Sequence, residues 1–395
     1  MKFIYFGNDW FADNRTSSHH IARRLGARFP LLYVEVPGLR PPKANSRDLL
    51  KLVKKICLTF QRPQLVAPHL WRMTLPQVPF RRFRAVRASN RALSTLLIRR
   101  AIRRLGFDGA IAWFHVPHPG FLAKKLGESL TVFYCIDEYS KLPGVDENAV
   151  QEMDDTLTKD ADVVFVCSAG LLDTHRRLNP KVCLSAHGVD TETFALAASP
   201  DTPIPDTTGT WKRPIVGFWG LLDTWVDLSL LTFIARARPD WTLLLIGRVV
   251  VDCTDLRQFS NVVLLGVKPY SELPQWAKVI DVCILPFTLT SLMLLSSPLK
   301  LREYLATGKP IVAVPLPDVL QYGGLVKTAT DGPGFVAAIE EALANDTPEL
   351  AAMRRRAVEG ITWDATVTKV LAKLEEELMT RNQDPISAVS GTRSK

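Results

Sequence analysis

Residues Ser296–Pro310 read Ser-Ser-Pro-Leu-Lys-Leu-Arg-Glu-Tyr-Leu-Ala-Thr-Gly-Lys-Pro, and the apolar run Ile311–Val314 follows them directly. This order is typical of a short helix that leads into a buried strand. Ser297 can cap the helix, Pro298 suits its first turn, and Gly308 can end it. The segment therefore predicts a helix that begins at the edge of a parallel sheet.

Two charged residues of this helix suggest what the edge could bind. Helix N-termini present unpaired N–H groups and the positive end of the helix dipole, so phosphate binds there readily. Lys300 lies in the first turn, where its ammonium can meet a diphosphate. Glu303 shares its face and can accept hydrogen bonds from two ribose hydroxyls. The alternative is that Lys300 and Glu303 form an ordinary surface ion pair.

Strand-length apolar runs alternate with helix-length segments along the rest of the chain, which predicts an α/β fold with two parallel, Rossmann-like sheets. We predict an N-terminal domain at 1–197, a Pro- and Thr-rich linker at 198–213, a C-terminal domain at 214–362, a C-terminal helix at 363–381 that packs toward the N-terminal domain, and a disordered tail at 382–395. The predicted strands are Lys2–Phe6, Leu31–Val36, Gly109–Phe114, Thr131–Ile136, Val163–Cys167, Val182–Ser185, Ile215–Phe218, Thr242–Ile246, Val262–Leu265, Val282–Leu285 and Ile311–Val314. The predicted helices include Ser18–Ala27, Phe121–Leu126, Leu228–Ala237 and Phe335–Ala344.

Composition fits a globular protein of two domains. The chain has 395 residues, of which 47% are hydrophobic, and no apolar run reaches the roughly 18 residues of a membrane-spanning helix. Met1–Gly7 has one positive charge and too short an apolar run for a secretion signal. We therefore expect the protein to stay in the cytoplasm.

Basic charge is concentrated in one stretch. Residues 49–107 hold fourteen Lys and Arg and no Asp or Glu, in a chain of net charge +9. Apolar residues are interleaved with the basic ones, which is typical of a segment that binds an anionic membrane surface or a polyanionic ligand. A solvated helix face is the alternative. Nucleic-acid binding is not predicted, because no nucleic-acid-binding motif accompanies the charge.

Five segments carry a resemblance to a known family. The donor helix and strand, SPLKLREYLATGKPIVAVPLPDV, resemble the donor-site signature of GT-B glycosyltransferases of the family-4-like, group-1 type. Four further segments resemble the same family: ADVVFVCSAGLLD at 161–173, SAHGVDTETF at 185–194, VGFWGLLDTWVDLSLL at 216–231 and PDWTLLLIGR at 239–248. The resemblance implies the GT-B fold, two Rossmann-like domains facing across a cleft, with Lys300 on the donor phosphates and Glu303 on the ribose.

The sequence departs from that family at two places. Many members carry another glutamate eight residues before the one that corresponds to Glu303. This chain has Leu295 at that position. The loop after the first donor-domain strand, Gly220–Trp225, contains no basic residue. Arg248, at the end of a predicted strand where such sheets bind ligands, is therefore the second candidate for the phosphate charge. The predicted donor-binding residues are Gly220, Arg248, Ser297, Pro298, Lys300 and Glu303.

Candidate catalytic residues follow a strand of the N-terminal half. The run Thr131–Ile136 leads straight into Asp137 and Glu138, and glycosyl transfer needs a base for the acceptor hydroxyl. Xanthan-type glucuronosyltransferases look similar here, which implies that Asp137 is the general base, with Glu138 behind it. The alternative is that Asp137 caps the next turn. His19 and His115 are candidates for contacts with acceptor or phosphate, whereas His187 is expected to be structural.

Metal binding is not predicted. No Asp-x-Asp sequence follows a strand, and the six cysteines lack C-x-x-C spacing, so small buried cysteines are expected. The nucleotide sugar would be a co-substrate, with no other cofactor.

The predicted function is transfer of a hexosyl or uronosyl group from a nucleotide sugar to a lipid-linked or polysaccharide acceptor at the inner face of the membrane, in cell-envelope or exopolysaccharide synthesis. A sugar-nucleotide epimerase and a catalytically degenerate GT-B scaffold are the alternatives. A Rossmann dehydrogenase is excluded, because neither half has a G-x-G-x-x-G after its first strand. Both stereochemical outcomes, retention and inversion, stay open.

Overall fold

The computed structural model describes residues 1–12, 15–36, 38–39, 62–75 and 84–383. Internal contacts divide the chain into two compact units. Unit 1 consists of Met1–Ala12, Ser18–Ser185 and the chain from Thr366 onward, and unit 2 consists of Asp13–Ser17 and Ala186–Ala365. The chain thus passes into unit 2 ahead of the predicted linker at 198–213 and returns to unit 1 within the C-terminal helix. Most of the predicted tail lies outside the described residues.

Unit 1 is built on an eight-stranded sheet. Its strands are β1 (Phe3–Gly7), β2 (Leu31–Glu35), β3 (Gln64–Ala67), β4 (Leu70–Thr74), β5 (Ile111–Phe114), β6 (Thr131–Cys135), β7 (Val163–Val166) and β8 (Val182–Leu184). Their order in the sheet is β3-β4-β2-β1-β5-β6-β7-β8, and every pairing is parallel except that of β3 with β4. The central strands are completely buried, as expected for a parallel sheet covered on both faces.

Within the described residues before Ala186, the helices of unit 1 are α1 (Ser17–Arg28), α2 (Arg84–Leu105), α3 (Glu147–Asp160) and α4 (Ala169–Arg176). The prediction of a helix at Phe121–Leu126 is wrong. That connection contains only a 3-10 turn at Gly120–Leu122, and Lys124 has a positive φ of 60°, which breaks the helical path.

Unit 2 is built on a six-stranded, wholly parallel sheet. Its strands are β9 (Ile215–Trp219), β10 (Thr242–Ile246), β11 (Val262–Gly266), β12 (Val282–Leu285), β13 (Ile311–Ala313) and β14 (Lys327–Thr328), in the order β11-β10-β9-β12-β13-β14. The helices that follow in the chain are α5 (Thr191–Ala195), α6 (Leu228–Ala237), α7 (Leu273–Val279), α8 (Ser291–Leu295), α9 (Leu299–Thr307), α10 (Pro317–Leu320), α11 (Gly332–Ala344), α12 (Pro348–Arg356) and α13 (Trp363–Gln383), the last running from unit 2 into unit 1.

All eleven predicted strands are confirmed, with ends that differ from the predicted ones by at most two residues. Three further strands, β3, β4 and β14, are short and were not predicted. The five cysteines within the described residues are free, as expected, and four of them are buried. Among the helices of the described part of the chain, none has the length and apolar character needed to cross a bilayer.

Aromatic side chains stack across one face of the unit 1 sheet and fix its loops. Tyr5 stacks on Tyr33 and Trp113, and Trp113 stacks on Tyr134, with ring centroids 5.4–5.5 Å apart. The tyrosine hydroxyl groups reach the loops at the carboxyl ends of the strands. Tyr33 donates to the carbonyl of Asn8, and Tyr134 donates to the carbonyl of Ser185. The edge that carries the candidate acceptor residues is therefore anchored from the core.

Candidate functional site

Helix α9 of unit 2 begins and ends close to the predicted positions. Gly308 ends it with a φ of 78°, a left-handed conformation that favours glycine. The prediction that Ser297 caps the helix is wrong. Pro298 is the N-cap residue and no side chain caps the helix, because the Ser297 hydroxyl donates to Asp318 Oδ2 at 3.0 Å instead.

A buried ion pair fixes the start of α9 against α10. Arg302 donates to both carboxylate oxygens of Asp318, at 3.0 and 3.1 Å, and also to the Ser297 hydroxyl at 2.9 Å. The side chains of Arg302 and Asp318 are only 2% and 9% exposed. A bidentate pair of this kind adds directional rigidity to its Coulomb energy. The turn that precedes Lys300 is thus held in one conformation.

Glu303 is buried and held by one of its two oxygens. Trp219 Nε1 donates to Glu303 Oε2 at 2.7 Å, and Lys300 Nζ donates to the same oxygen at 3.0 Å. Oε1 accepts no hydrogen bond from the described residues. The predicted alternative of a surface ion pair is therefore only half correct, because Lys300 and Glu303 are paired but Glu303 is 1% exposed. The arrangement leaves one carboxylate oxygen able to accept hydrogen bonds from a ligand.

Aromatic rings surround this carboxylate. Trp219 packs edge-on against Tyr304, with centroids 4.2 Å apart, and stacks on Phe194. Tyr270 packs against Phe194 and its hydroxyl donates to Asp190 Oδ2 at 3.0 Å. Burial, followed by the negative charges of Glu303 and Asp190, raises the pKa of Tyr270 far above its usual value. Tyr270 is thus a neutral hydrogen-bonding group throughout the physiological pH range.

A pocket opens beside Trp219 at the carboxyl ends of β9, β10 and β11. Four cationic side chains line it: Arg15, Arg248, Lys268 and Lys300. Among the residues that the structure describes, the pocket lining includes no Asp or Glu. The remaining lining residues are Trp219, Gly220, Leu221, Ile246, Gly247, Val267, Tyr270 and Leu273. Such a pocket suits an anionic ligand that also has an apolar or aromatic part.

The sequence found only part of this lining. The structure brings Gly220, Arg248 and Lys300 together as predicted residues of one site. It also adds Arg15, whose guanidinium carbon lies 4.8 Å from the centroid of the Tyr270 ring, and Lys268, whose Nζ lies 5.1 Å from the Trp276 ring. A cation three residues from the predicted end of a strand was the signal available for Lys268, whereas Arg15 is distant in sequence from every other lining residue.

Gly247→Ala is expected to destabilise unit 2 strongly. Gly247 has a φ of 137°, and a Cβ there would lie 1.9 Å from the carbonyl oxygen of Gly220. The strained backbone and the clash should together cost at least about 3 kcal/mol. Urea unfolding measures the loss. Gly266→Ala is the control, because Gly266 also has a positive φ, 75°, but open space around it, so about 1–2 kcal/mol is expected there. Equal losses of unfolding free energy in the two variants would contradict the close approach of the Gly247 loop to the Gly220 loop.

The catalytic candidates lie in unit 1, after β6. Asp137 and Glu138 are both partly exposed. Glu138 Oε1 accepts a hydrogen bond from Ser140 Oγ at 2.7 Å, and the carbonyl of Asp137 accepts one from the Cys135 thiol at 3.3 Å. The N-cap position of the following 3-10 turn, Tyr139–Lys141, is occupied by Glu138, whose side chain does not cap the turn. Their catalytic role stays a prediction.

The two histidine candidates are buried in unit 1. His115 has no exposed surface. Its Nδ1 lies 3.0 Å from the Tyr5 hydroxyl, and its ring stacks on Tyr134. His19 is 2% exposed, and its Nε2 lies 2.8 Å from the carbonyl oxygen of Asp9. These surroundings favour structural roles for both residues. His187, in unit 2, packs against Trp363 as expected of a structural residue.

A buried polar cluster lies beneath the Asp137 loop. His175 Nε2 lies 2.9 Å from Asp154 Oδ1, its Nδ1 lies 2.8 Å from the carbonyl oxygen of Leu171, and Cys135 Sγ lies 4.0 Å from Asp154 Oδ2. Burial lowers the pKa of His175, but the hydrogen bond and charge of Asp154 and the Leu171 carbonyl outweigh it, so the pKa is raised. The potential ligand atoms of the three side chains lie within 4.8 Å of one another. Both ring nitrogens of His175 thus face oxygen atoms, and this arrangement favours the protonated form of the imidazole beside the Asp154 carboxylate.

Comparison with known proteins shows a similarity in the region that holds most of the pocket lining. Residues 213–345 match the family model described as "Glycosyl transferases group 1". A curated relative, TuaH of Bacillus subtilis strain 168, named as a teichuronic acid biosynthesis glycosyltransferase, is 25% identical over 289 residues, which cover 66% of this chain and 70% of the relative.

Solved structures share the fold. Sucrose-phosphate synthase of Thermosynechococcus elongatus superposes with a TM-score of 0.69 at 15% identity, covering 96% of this chain and 99% of that one. Anabaena Alr3699/HepE, solved in complex with UDP and glucose, superposes with a TM-score of 0.66 at 13% identity, covering 95% and 99%. The predicted GT-B fold, with two Rossmann-like domains, is confirmed.

Proposed function

We propose that this chain, which has the GT-B fold and matches the group-1 glycosyl transferase model over residues 213–345, is a glycosyltransferase that holds a nucleoside-diphosphate sugar in the pocket beside Trp219. The observation that carries the proposal is the set of four lining cations, together with Glu303, which is buried behind the lining and accepts hydrogen bonds from the lining residues Trp219 and Lys300. A diphosphate satisfies the cations and a ribose satisfies the carboxylate. Uridine diphosphate is the first candidate, because HepE was solved with UDP.

Donor binding would exchange the partners of Lys300 and Glu303. In the structure the Lys300 ammonium neutralises Glu303 at 3.0 Å. A ribose whose hydroxyl groups donate hydrogen bonds to the two oxygens of Glu303 would replace Lys300 as the partner of this carboxylate. Lys300, three residues before Glu303 on the same helix, could then contact the phosphates. Trp219 would keep the carboxylate oriented throughout. Arg248 and the N–H groups of the first turn of α9 would supply further positive potential.

The chemistry follows from these charges. Transfer breaks the bond between the anomeric carbon and the diphosphate, and forms one from that carbon to the acceptor oxygen. Negative charge develops on the leaving diphosphate, where Lys300 and Arg248 would stabilise it without a metal ion. The acceptor hydroxyl must lose its proton, and we propose that the carboxylate of Asp137, or of Glu138, receives it. The sugar would be a hexosyl or uronosyl group.

For the acceptor we propose a lipid-linked or polysaccharide substrate of cell-envelope synthesis, at the cytoplasmic face of an anionic membrane. The name of TuaH supports a cell-wall polymer. Helix α2 supports the proposal of membrane binding, because its 22 residues contain seven arginines and no acidic residue. Arg99, Arg100, Arg103 and Arg104 are exposed along it, which suits anionic headgroups.

A thermal-shift screen tests the donor site. Nucleoside diphosphates and nucleotide sugars should raise the unfolding temperature of the wild type, because a ligand at 100 times its Kd stabilises the folded state by about 2.7 kcal/mol. The shift should be lost in Lys300→Ala and Glu303→Ala. Lys327→Ala is the matched control, since Lys327 forms a surface ion pair with Glu341 and should keep the shift. Absence of a shift with every nucleotide would overturn the proposal and favour the degenerate scaffold.

A further inference from the structure

The connection from β5 to β6 in unit 1 is unusually short of helix. Parallel strands are normally joined by a helix that covers the sheet. Here residues 115–130 contain only the 3-10 turn at Gly120–Leu122. The helices on either side in the chain, α2 and α3, are full length. A groove of about 740 Å³ lies over this connection, with walls from α2 and α3 and a floor from residues 117–125.

The groove starts at the sheet edge where the acceptor candidates lie. Pro117 and His118 line it just after the carboxyl end of β5, and Ala149 lines it in the first turn of α3. Its other end is reached at Lys125 and Asp160, the last residue of α3. The groove therefore runs down the side of unit 1 from the edge that carries Asp137.

Side-chain chemistry differs along the groove. Phe121 and Met153 give it an apolar centre. Arg91 lies on the α2 wall, with its guanidinium carbon 5.4 Å from the centroid of the Phe121 ring. Because α2 leads into the start of β5, its N-terminal half, which includes Arg91, lies toward the carboxyl edge. The acids Glu152 and Asp160 are confined to the exposed α3 wall.

We propose that this groove binds the hydrocarbon chain of a polyprenyl-phosphate-type acceptor, with the phosphate on Arg91 and the sugar end at the Asp137 edge. Charge complementarity supports this occupant, since the α2 wall has no acidic residue and the apolar centre follows directly behind Arg91. The inference rests on the proposed transferase function and specifies its acceptor. A lipid of this kind would also account for an exposed basic helix beside a groove with an apolar centre.

Equilibrium binding of two probes tests the groove: a long-chain polyprenyl phosphate in detergent micelles and a short, water-soluble prenyl phosphate. The wild type should bind the long chain at least tenfold more tightly. Met153→Glu should remove that preference, because it places a charge against the chain, and should leave the nucleotide thermal shift unchanged. Met379→Glu is the matched control, since Met379 is 61% exposed on α13, and it should bind both probes as the wild type does.

Two results would overturn the groove assignment: equal binding of both probes by the wild type, or unchanged long-chain binding in Met153→Glu. Loss of long-chain binding together with loss of the nucleotide shift would indicate general unfolding, and Phe121→Ser then replaces Met153→Glu as the deciding variant. If the wild type binds the long chain but no nucleotide, the groove stands and the proposed transferase function fails.

Discussion

Lys300→Met is expected to lower kcat/KM for the nucleotide-sugar donor by about 10²–10³-fold, the usual cost of removing one group that stabilises developing charge. The methionine keeps most of the length of the side chain but supplies no charge to the leaving diphosphate. Turnover of donor at saturating acceptor measures the effect. The fall should appear in kcat as well as in KM, because the charge on the leaving group is greatest in the transition state.

Lys327→Met is the control for this prediction. Lys327 belongs to the same unit and pairs with Glu341 at the surface, so its loss should change kcat/KM by less than twofold, as expected for a surface ion pair. A rise in KM with unchanged kcat in Lys300→Met would contradict a role in leaving-group stabilisation. It would leave Lys300 with ground-state binding of the donor alone.

Asp154→Asn is expected to destabilise unit 1 by about 3–5 kcal/mol, because it removes one partner of a buried ion pair. Asp154 and His175 have side chains only 7% and 6% exposed, so water cannot replace the lost contact. Urea unfolding followed by circular dichroism measures the change. Asp155→Asn is the matched control: Asp155 is the next residue and accepts a hydrogen bond from Gln151, and its substitution should cost less than about 1 kcal/mol.

The same pair gives the stability of unit 1 a defined pH dependence. The pKa of His175 is raised above its ordinary value of 6.5, so protonation stabilises the folded state. That contribution is complete below about pH 6.5 and is lost as the pH rises through the folded-state pKa. Asp154→Asn should abolish this decline. A wild type whose stability rises across the same range would show that His175 is not charged in the fold.

Local sequence patterns were sufficient for most of the strands and for α9, but not for the contacts between elements. The strands and α9 were predictable because apolar runs, Pro298 and Gly308 act over a few residues. That Lys300 and Glu303 share one face of α9 was predictable, because a helix fixes the relative position of residues three apart. The bond from Trp219 to Glu303 joins residues 84 positions apart, and no local pattern predicts it. Ser297 illustrates the limit: its sequence position suits an N-cap, but the long-range partner Asp318 takes its hydroxyl.

The same limit applies to the cations of the pocket. Arg248 was predictable from its place after a strand. Arg15 was not, because it comes from a segment that precedes α1 and yet belongs to unit 2 by its contacts. The short strand β3 was missed because it is largely exposed and pairs antiparallel at the sheet edge, so it lacks the continuous apolar run of a central strand.

The return of the chain to unit 1 at Thr366 has a consequence for synthesis on the ribosome. The part of α13 that belongs to unit 1 forms the bonds Lys181–Glu377 and Arg381–Ser129, and these partners are translated before residues 186–365. Unit 2, by contrast, is continuous apart from a short N-terminal segment, and its ends meet where Val189 N donates to the carbonyl of Ile361 at 2.9 Å. The later-translated unit can therefore complete its fold while the N-terminal unit still lacks its last helix.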